Sequence, residues 1–299
     1  MKFFDTALAG LTALAISGPA LAADLPSRKA PVVEPPPPAF TWNGLYAGLN
    51  TGYAWGGSSG TQVVSAPAFD AGFGGSTPFL LTQNMLAGTN GAGSSGAGWL
   101  IGGQIGYNAQ FNNIVAGLET DIQGVIGSRG SQSWSGALLI PGFAQSAVSS
   151  ANAARKIDFF GALRARLGWL VTPSWLLYAT GGMAYGGVNA STNVVQALVP
   201  NSIATPVWGS AGAFSGLRVG WTIGAGVEWM FSSNWSVKAE YFYYDLGRVS
   251  YAGSPMVTLG GGPFTIAAVN SSTRFNGNVV RLGVNYHFSW GNAPVVGRY

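Results

Sequence analysis

The sequence predicts an all-β membrane protein: an eight-stranded, antiparallel, up-and-down transmembrane barrel with short periplasmic turns and long extracellular loops. Only 8% of its 299 residues are charged, against about 25% in an ordinary soluble domain, so the chain lacks the charged surface of a soluble globule. After residue 23, glycine or a polar residue interrupts every apolar run before it reaches the roughly 20 residues of a membrane helix. Segments in which apolar and polar residues alternate, as in strands with one face on lipid, occur eight times.

The lengths of the connections support this fold. Tight turns at 112–113, 172–174 and 232–234 alternate with long connections at 56–97, 127–154, 188–215 and 248–273, which are rich in Gly, Ser, Ala and Asn. Short turns on one side and long loops on the other are typical of outer-membrane barrels. A soluble β-sandwich is the alternative fold. The strands are expected at 43–55, 98–111, 114–126, 155–171, 175–187, 216–231, 235–247 and 274–288.

The chain divides into four predicted segments. Residues 1–22 predict a cleaved signal peptide, because Lys2 precedes the apolar stretch 6–18 and residues 20–22 form a small-x-small cleavage site. Residues 23–41 predict a proline-rich periplasmic linker, since proline favours an extended conformation and is excluded from sheet interiors. Residues 42–288 form the barrel and residues 289–299 a short C-terminal extension. Export by this route predicts the outer membrane of a Gram-negative bacterium.

Eight charged side chains are predicted to lie inside the barrel at membrane level. A three-residue turn at 232–234 places Glu228 opposite Lys238, and we expect two inner clusters joined by charge-assisted hydrogen bonds. The interior of an eight-stranded barrel is just wide enough for side chains to fill, so these clusters predict either a plug or a gate. The set, four acidic and four basic residues, is Glu119, Asp121, Arg164, Arg166, Glu228, Lys238, Glu240 and Arg281.

Inward-facing glycines leave the state of the lumen open. They relieve crowding where strands bend and close, but they also leave volume that water could fill. The first reading favours a plug and the second favours a channel. The inward positions are Gly48, Gly52, Gly102, Gly106, Gly117, Gly168, Gly220, Gly224, Gly226 and Gly283.

The remaining polar residues argue for lipid contacts and against enzyme chemistry. Near the long loops, Arg155, Lys156 and Arg218 are predicted to contact lipopolysaccharide phosphates, because arginine binds phosphate well; solvated loop charges are the alternative. His287 is the single histidine and there is no cysteine, so the sequence offers no catalytic triad and no cysteine zinc site. We predict no enzyme, no cofactor, no metal and, without a basic stripe, no nucleic-acid partner.

Motifs at both ends of the barrel resemble a known family. The stretches WNGLYAG at 42–48, GYAWG at 52–56, AEYFYYDLG at 239–247 and RLGVNYHF at 281–288 are similar to the porin-like outer-membrane immunogenic proteins of alphaproteobacteria, within the OmpA-like barrel superfamily. The resemblance implies insertion by the barrel assembly machinery, which reads a last strand ending in phenylalanine, here Tyr286 and Phe288. This chain departs from the pattern because residues 289–299 follow that strand.

The predicted function is a structural, surface-exposed outer-membrane barrel with at most a narrow pore. A small-solute porin is the first alternative, since balanced lumen charges favour a plug whereas inward glycines favour a channel. A surface adhesin or ligand-binding barrel that acts through its long loops is the second. The sequence leaves the oligomeric state open.

Overall fold

A computed structural model describes residues 40–57, 60–67, 96–139, 146–199, 207–259 and 265–288. The predicted signal peptide, nearly all of the linker and the C-terminal extension lie outside the described residues. No helix in the described part of the chain is long and apolar enough to cross a membrane. The strands are β1 (Gly44–Gly56), β2 (Gln62–Pro67), β3 (Ala97–Phe111), β4 (Ile114–Ile126), β5 (Arg129–Leu139), β6 (Ser146–Thr172), β7 (Trp175–Val199), β8 (Val207–Ser232), β9 (Trp235–Ala252), β10 (Met256–Leu259) and β11 (Thr265–His287).

Eight of these strands close into a barrel. Strands β1, β3, β4, β6, β7, β8, β9 and β11 pair antiparallel in that order, and β11 pairs back with β1. The predicted fold class is therefore confirmed. The register through the turn at 232–234 is also as predicted, because Glu228 lies opposite Lys238.

The outer face of the barrel near the tight turns is apolar. Leu49, Phe111 and Leu167 expose 75%, 64% and 62% of their surface, as expected for side chains that meet lipid. The aromatic residues farthest from the turns on this face are Trp55, Trp99, Phe159, Tyr185 and Trp221. We call the wall between the tight turns and these residues the membrane half, and the wall beyond them the extracellular half.

The extracellular half corrects three predicted loops; in the last of them, 248–273, residues 248–252, 256–259 and 265–273 form strand. Strands β6, β7 and β8 run for 27, 25 and 26 residues, so most of 127–154 and 188–215 forms strand. The short strand β5 pairs with β6, β2 with β11, and β10 with β8 and β11. Water surrounds this half, so apolar residues such as Val194 turn inward and polar residues such as Asn193 turn outward. The membrane pattern is inverted at these positions but not at all, since Gln196 is buried and Val195 is exposed; such a mixed pattern predicts loop.

A bulge in β6 accompanies this inversion. The register with β7 shifts between Ile157 and Phe159, which makes Asp158 an extra residue. Below the bulge the buried residues of β6 are even-numbered, as at Arg164, and above it they are odd-numbered, as at Ala153. Because side chains alternate with a period of two, one inserted residue changes which residue numbers, odd or even, face inward.

Candidate functional site: the lumen of the barrel

The centre of the lumen holds three carboxylates bridged by two arginines. Arg164 Nη2 lies 2.6 Å from Glu119 Oε1 and 2.8 Å from Asp121 Oδ2, and its Nη1 lies 2.8 Å from Glu240 Oε1. Arg281 contacts the same three carboxylates at 2.9, 3.0 and 2.5 Å. All five side chains are buried. Each planar guanidinium thus uses several donors at once, the geometry in which charge-assisted hydrogen bonds are strongest.

The other three charges join the same network. Lys238 Nζ lies 2.7 Å from Glu119 Oε2, and Arg166 Nη2 lies 2.6 Å from Glu228 Oε2. Tyr46 links the two pairs: its hydroxyl accepts from Arg166 Nη1 at 3.0 Å and donates to Glu119 Oε2 at 2.7 Å. The expectation of two clusters is therefore wrong, because these side chains reach across the narrow lumen to one continuous network.

Asn285, Ser236 and His287 complete the network on its periplasmic side. Asn285 Nδ2 and Ser236 Oγ donate to Glu228 Oε1 at 2.7 and 2.5 Å. His287 Nε2 lies 2.9 Å from Ser236 Oγ, and the His287 ring packs against Tyr46 with centroids 5.5 Å apart. Glu228 therefore has a cation and two neutral donors, as a buried carboxylate requires.

An apolar layer closes the periplasmic side of the charged network. Trp42 is fully buried and donates from Nε1 to the Pro173 carbonyl at 3.0 Å and from its backbone N–H to Gln110 Oε1 at 3.0 Å. Sequence reasoning missed this role, because the tryptophan follows the linker and reads as a strand end. The layer consists of Trp42, Val115, Leu170, Leu176, Tyr178 and Met230.

A second apolar layer closes the extracellular side. Its floor is the Phe242 ring, whose centroid lies 5.1 Å from the guanidinium carbons of both Arg164 and Arg281. Phe160 stacks on Phe242 at 5.9 Å, and Leu246 and other buried residues pack above them. The charged network thus lies between two apolar layers.

The inward glycines make room for large side chains. A Cβ at Gly226 would lie 2.7 Å from the Tyr178 ring, and one at Gly168 would lie 2.7 Å from Leu176 Cδ1. A Cβ at Gly106 would collide with the Tyr46 ring. These glycines relieve crowding, and the volume that they vacate is filled by neighbouring side chains.

The structure separates the three residues predicted to contact lipopolysaccharide. Arg155 lies above the bulge on the inward side and donates to the carbonyls of Gly57 and Arg274, each at 3.2 Å. Lys156 faces outward but pairs with Asp158 at 2.5 Å, and this hydrogen bond lowers the pKa of Asp158. Arg218 Nη2 donates to the Arg248 carbonyl at 3.0 Å.

The two residues predicted as an assembly signal lie at the periplasmic rim. The Tyr286 ring faces outward and packs against Trp235 and Phe288 with centroids 5.1 Å away in each case. The Phe288 N–H donates to the Leu45 carbonyl at 2.8 Å. This bond continues the pairing of residues 277–287 of the last strand with the first, which closes the barrel.

The described residues contain no group of three or more His, Cys, Asp or Glu side chains placed to hold a metal ion. Glu119, Asp121 and Glu240 approach one another only through the cations between them. Their oxygens accept from arginine and lysine donors, and Asp121 Oδ1 accepts from Gln123 Nε2 at 3.2 Å.

A closed barrel with an apolar outer belt and a charged interior defines an integral outer-membrane β-barrel protein. Residues 7–288 match the model of the family described as outer membrane protein beta-barrel domain, and the chain belongs to that family. It is 33% identical to the 31 kDa outer-membrane immunogenic protein of Brucella melitensis over 90% of this chain and 93% of that protein. It is 24% identical to the 25 kDa outer-membrane immunogenic protein of Brucella abortus over 92% and 93% of the two chains.

Among solved structures, the outer membrane protein OprG of Pseudomonas aeruginosa aligns with a TM-score of 0.41 at 10% identity, over 84% of this chain and 99% of that one. The Brucella relatives carry the names of outer-membrane immunogenic proteins and not of enzymes. The protein is located in the outer membrane, as predicted.

Proposed function

We propose that this protein is a structural and surface-exposed barrel whose lumen is closed at rest. The observation that carries the proposal is the buried network of four acidic and four basic side chains, in which every charge has at least one oppositely charged partner. Removing one member of a buried ion pair costs about 3–5 kcal/mol, so opening a path through the network is costly.

The two apolar layers support the same conclusion. A hydrated ion that crosses the lumen would have to pass Trp42 and Met230 on one side and Phe160 and Phe242 on the other. An apolar constriction opposes the passage of ions, because its side chains offer no polar contacts in place of the water that an ion loses on entering.

A small-solute pore is the second candidate, and the position of Lys238 favours it. Its Nζ lies 2.7 Å from Glu119 and 4.0 Å from Glu240, and its backbone faces Glu228. Exchange of Lys238 between these carboxylates would re-pair the network, which is how a gate would work. An adhesin or ligand-binding role through the loops is a third candidate.

Single-channel conductance of the refolded chain in a planar bilayer tests the proposal. We expect no defined openings from protein whose folding is verified by its gel-mobility shift. Steady openings of the wild-type protein would contradict the closed lumen and favour the pore. In that case Lys238→Glu distinguishes a gate, which would change the conductance, from a path that avoids the network, which would not.

Two partners belong to this proposal. The barrel assembly machinery would bind the terminal strand through Tyr286 and Phe288, whose rings form an outward aromatic pair. Phosphate-bearing lipopolysaccharide would contact basic side chains on the outer face of the extracellular half, where the outer leaflet presents its phosphates.

A further inference from the structure

The barrel wall opens between β8 and β9 in the extracellular half. From the tight turn, β8 and β9 stay paired as far as Trp221 opposite Asp245. Beyond that point the chain next meets β8 just after the end of β9, where Gly253 bridges Gly212 and the Ser254 N–H donates to the Ala211 carbonyl at 2.8 Å. Over the same stretch β8 remains paired with β7, and β9 with β11. The opening is therefore a local separation of two strands in an otherwise continuous wall.

Close packing marks both ends of the separation. A Cβ at Gly220 would collide with the Asp245 carbonyl, and one at Gly212 would lie 3.0 Å from the Gly253 Cα. In the middle, a Cβ at Gly216 would meet only the Phe214 ring on its own strand. Between these ends β8 takes nine residue steps (212 to 221) while β9 takes eight (245 to 253). β8 therefore carries one residue more than the facing chain over this stretch.

A bulge in β9 shapes the outer side of the opening. The register with β11 shifts between Arg274 and Asn276, and Gly247 adopts a φ of 80°, the left-handed region that glycine adopts without strain. The result is a groove of about 320 Å³, lined by Val219, Gly220, Trp221, Asp245, Gly247, Arg248 and Arg274.

The groove combines cationic and apolar surface. Arg248 is exposed beside Arg274 on the neighbouring strand, and Asp245 holds Arg274 through both Nε and Nη2. Arg218 reaches across the opening to the Arg248 carbonyl, and its buried Nε has no hydrogen-bond partner among the described residues. Two cations, Arg248 and Arg274, therefore line the groove with one carboxylate, and Arg218 adjoins it through its contact with Arg248.

The groove lies at the level of lipid headgroups. Val219 and Trp221, which are 55% and 50% exposed, form its lower wall on the lipid-facing side. The cations Arg248 and Arg274 lie above them, farther from the tight turns. An anionic group above an apolar chain would match both surfaces, because a guanidinium offers a fork of donors that suits phosphate oxygens.

We propose that the groove between β8 and β9 binds a phosphate group of an outer-leaflet lipid. Arg248 and Arg274 supply the charge, Arg218 supplies a donor from the opposite side of the opening, and the acyl chain lies against Val219 and Trp221. The inference rests on the proposed lipopolysaccharide contact and moves it from Arg155 and Lys156 to this groove.

Native mass spectrometry of the refolded full chain in detergent tests the proposal, with lipid A that carries two phosphates as the probe. The variants are Arg248→Gln alone and Arg248→Gln combined with Arg274→Gln and Asp245→Asn, which avoids an unpaired carboxylate. The comparison pair is Arg129→Gln with Lys156→Gln, two outward cations that lie opposite each other on β5 and β6. The gel-mobility shift verifies the folding of each variant.

We expect the groove variants to bind lipid A about tenfold more weakly, as for the loss of one charge-assisted contact, and the β5–β6 pair to bind it as the wild type does. Equal losses in both sets, or a loss in the β5–β6 pair alone, would overturn the groove. Retention of lipid A stripped of its phosphates at wild-type strength would do the same, and displacement by millimolar inorganic phosphate would reassign the groove to free anions. Absence of lipid binding by the wild type would instead overturn the lipopolysaccharide contact itself. Because Arg248 is exposed, its single variant keeps the test decisive if the triple variant fails to fold.

Discussion

The two halves of the barrel differ in what holds their interiors together. In the membrane half, Arg164 lies fully buried inside while Leu163 next to it is 47% exposed to the outside. In the extracellular half, Val194 is buried inside while Asn193 faces outward. Lipid outside the membrane half gives apolar side chains no reason to prefer the lumen, so polar contacts hold that interior together. Water outside the extracellular half restores the hydrophobic effect as the force that packs the wall.

The largest expected effect comes from removing a charge from the membrane half. Arg164→Met leaves Glu119, Asp121 and Glu240 with one arginine between them, and we expect the free energy of unfolding to fall by about 3–5 kcal/mol. Lys156→Met, which breaks the exposed pair with Asp158, should cost under about 1 kcal/mol. Urea unfolding in detergent micelles measures both, and similar losses would show that the network contributes no more than a surface ion pair.

A smaller effect separates the apolar interior from the lipid-facing surface. Leu246→Ala in the extracellular-side layer should cost about 2–5 kcal/mol, because a cavity remains where the side chain was. Leu167→Ala, the same change on the outer face, should cost less, since lipid or detergent fills the space. Urea unfolding of the two variants compares them directly. Equal losses would mean that the layer above Phe242 is loosely packed and does not seal the lumen.

The glycines test whether the lumen is filled. Gly226→Ala places a methyl group 2.7 Å from the Tyr178 ring and hydroxyl, and overpacking of this kind costs about 1–3 kcal/mol. Adding Tyr178→Phe removes the hydroxyl and should recover part of the loss. The thermal midpoint of the gel-mobility shift reports both variants. A Gly226→Ala protein as stable as the wild type would indicate empty volume at this level.

The sequence predicted the membrane half well and the extracellular half poorly, for one physical reason. Lipid requires a long apolar outer face, so strands such as β4 and β9 stand out in the alternation. Beyond the bulge at Asp158, the strands consist largely of small and polar residues. A loop has the same composition, so the sequence does not distinguish strand from loop there. The members of the lumen network could be predicted from alternate positions, whereas the contact of Arg164 with Glu240, 76 residues apart, depends on side-chain reach across the lumen.

Two lumen residues were missed because their types suggested another role. Tyr46 and Trp42 are aromatic residues at one end of a strand, where a girdle at the membrane interface is the usual reading. For Tyr46 the strand alternation was a usable signal. It places the side chain on the inward face, opposite Gly106 and at the depth of Glu119. No such signal exists for Trp42, because it precedes the first strand.

The smallest expected effect concerns the periplasmic seal. Trp42→Phe keeps a ring in the layer but removes the hydrogen bond from Nε1 to the Pro173 carbonyl, which should cost about 0.5–1.5 kcal/mol. Trp169→Phe on the lipid-facing surface is the matched control. If the layer seals the lumen by packing, neither variant should conduct in a planar bilayer, whereas Trp42→Ala, which empties the layer, should expose the charged network to periplasmic water. Conductance from Trp42→Phe would mean that the hydrogen bond, and not the ring, holds the seal.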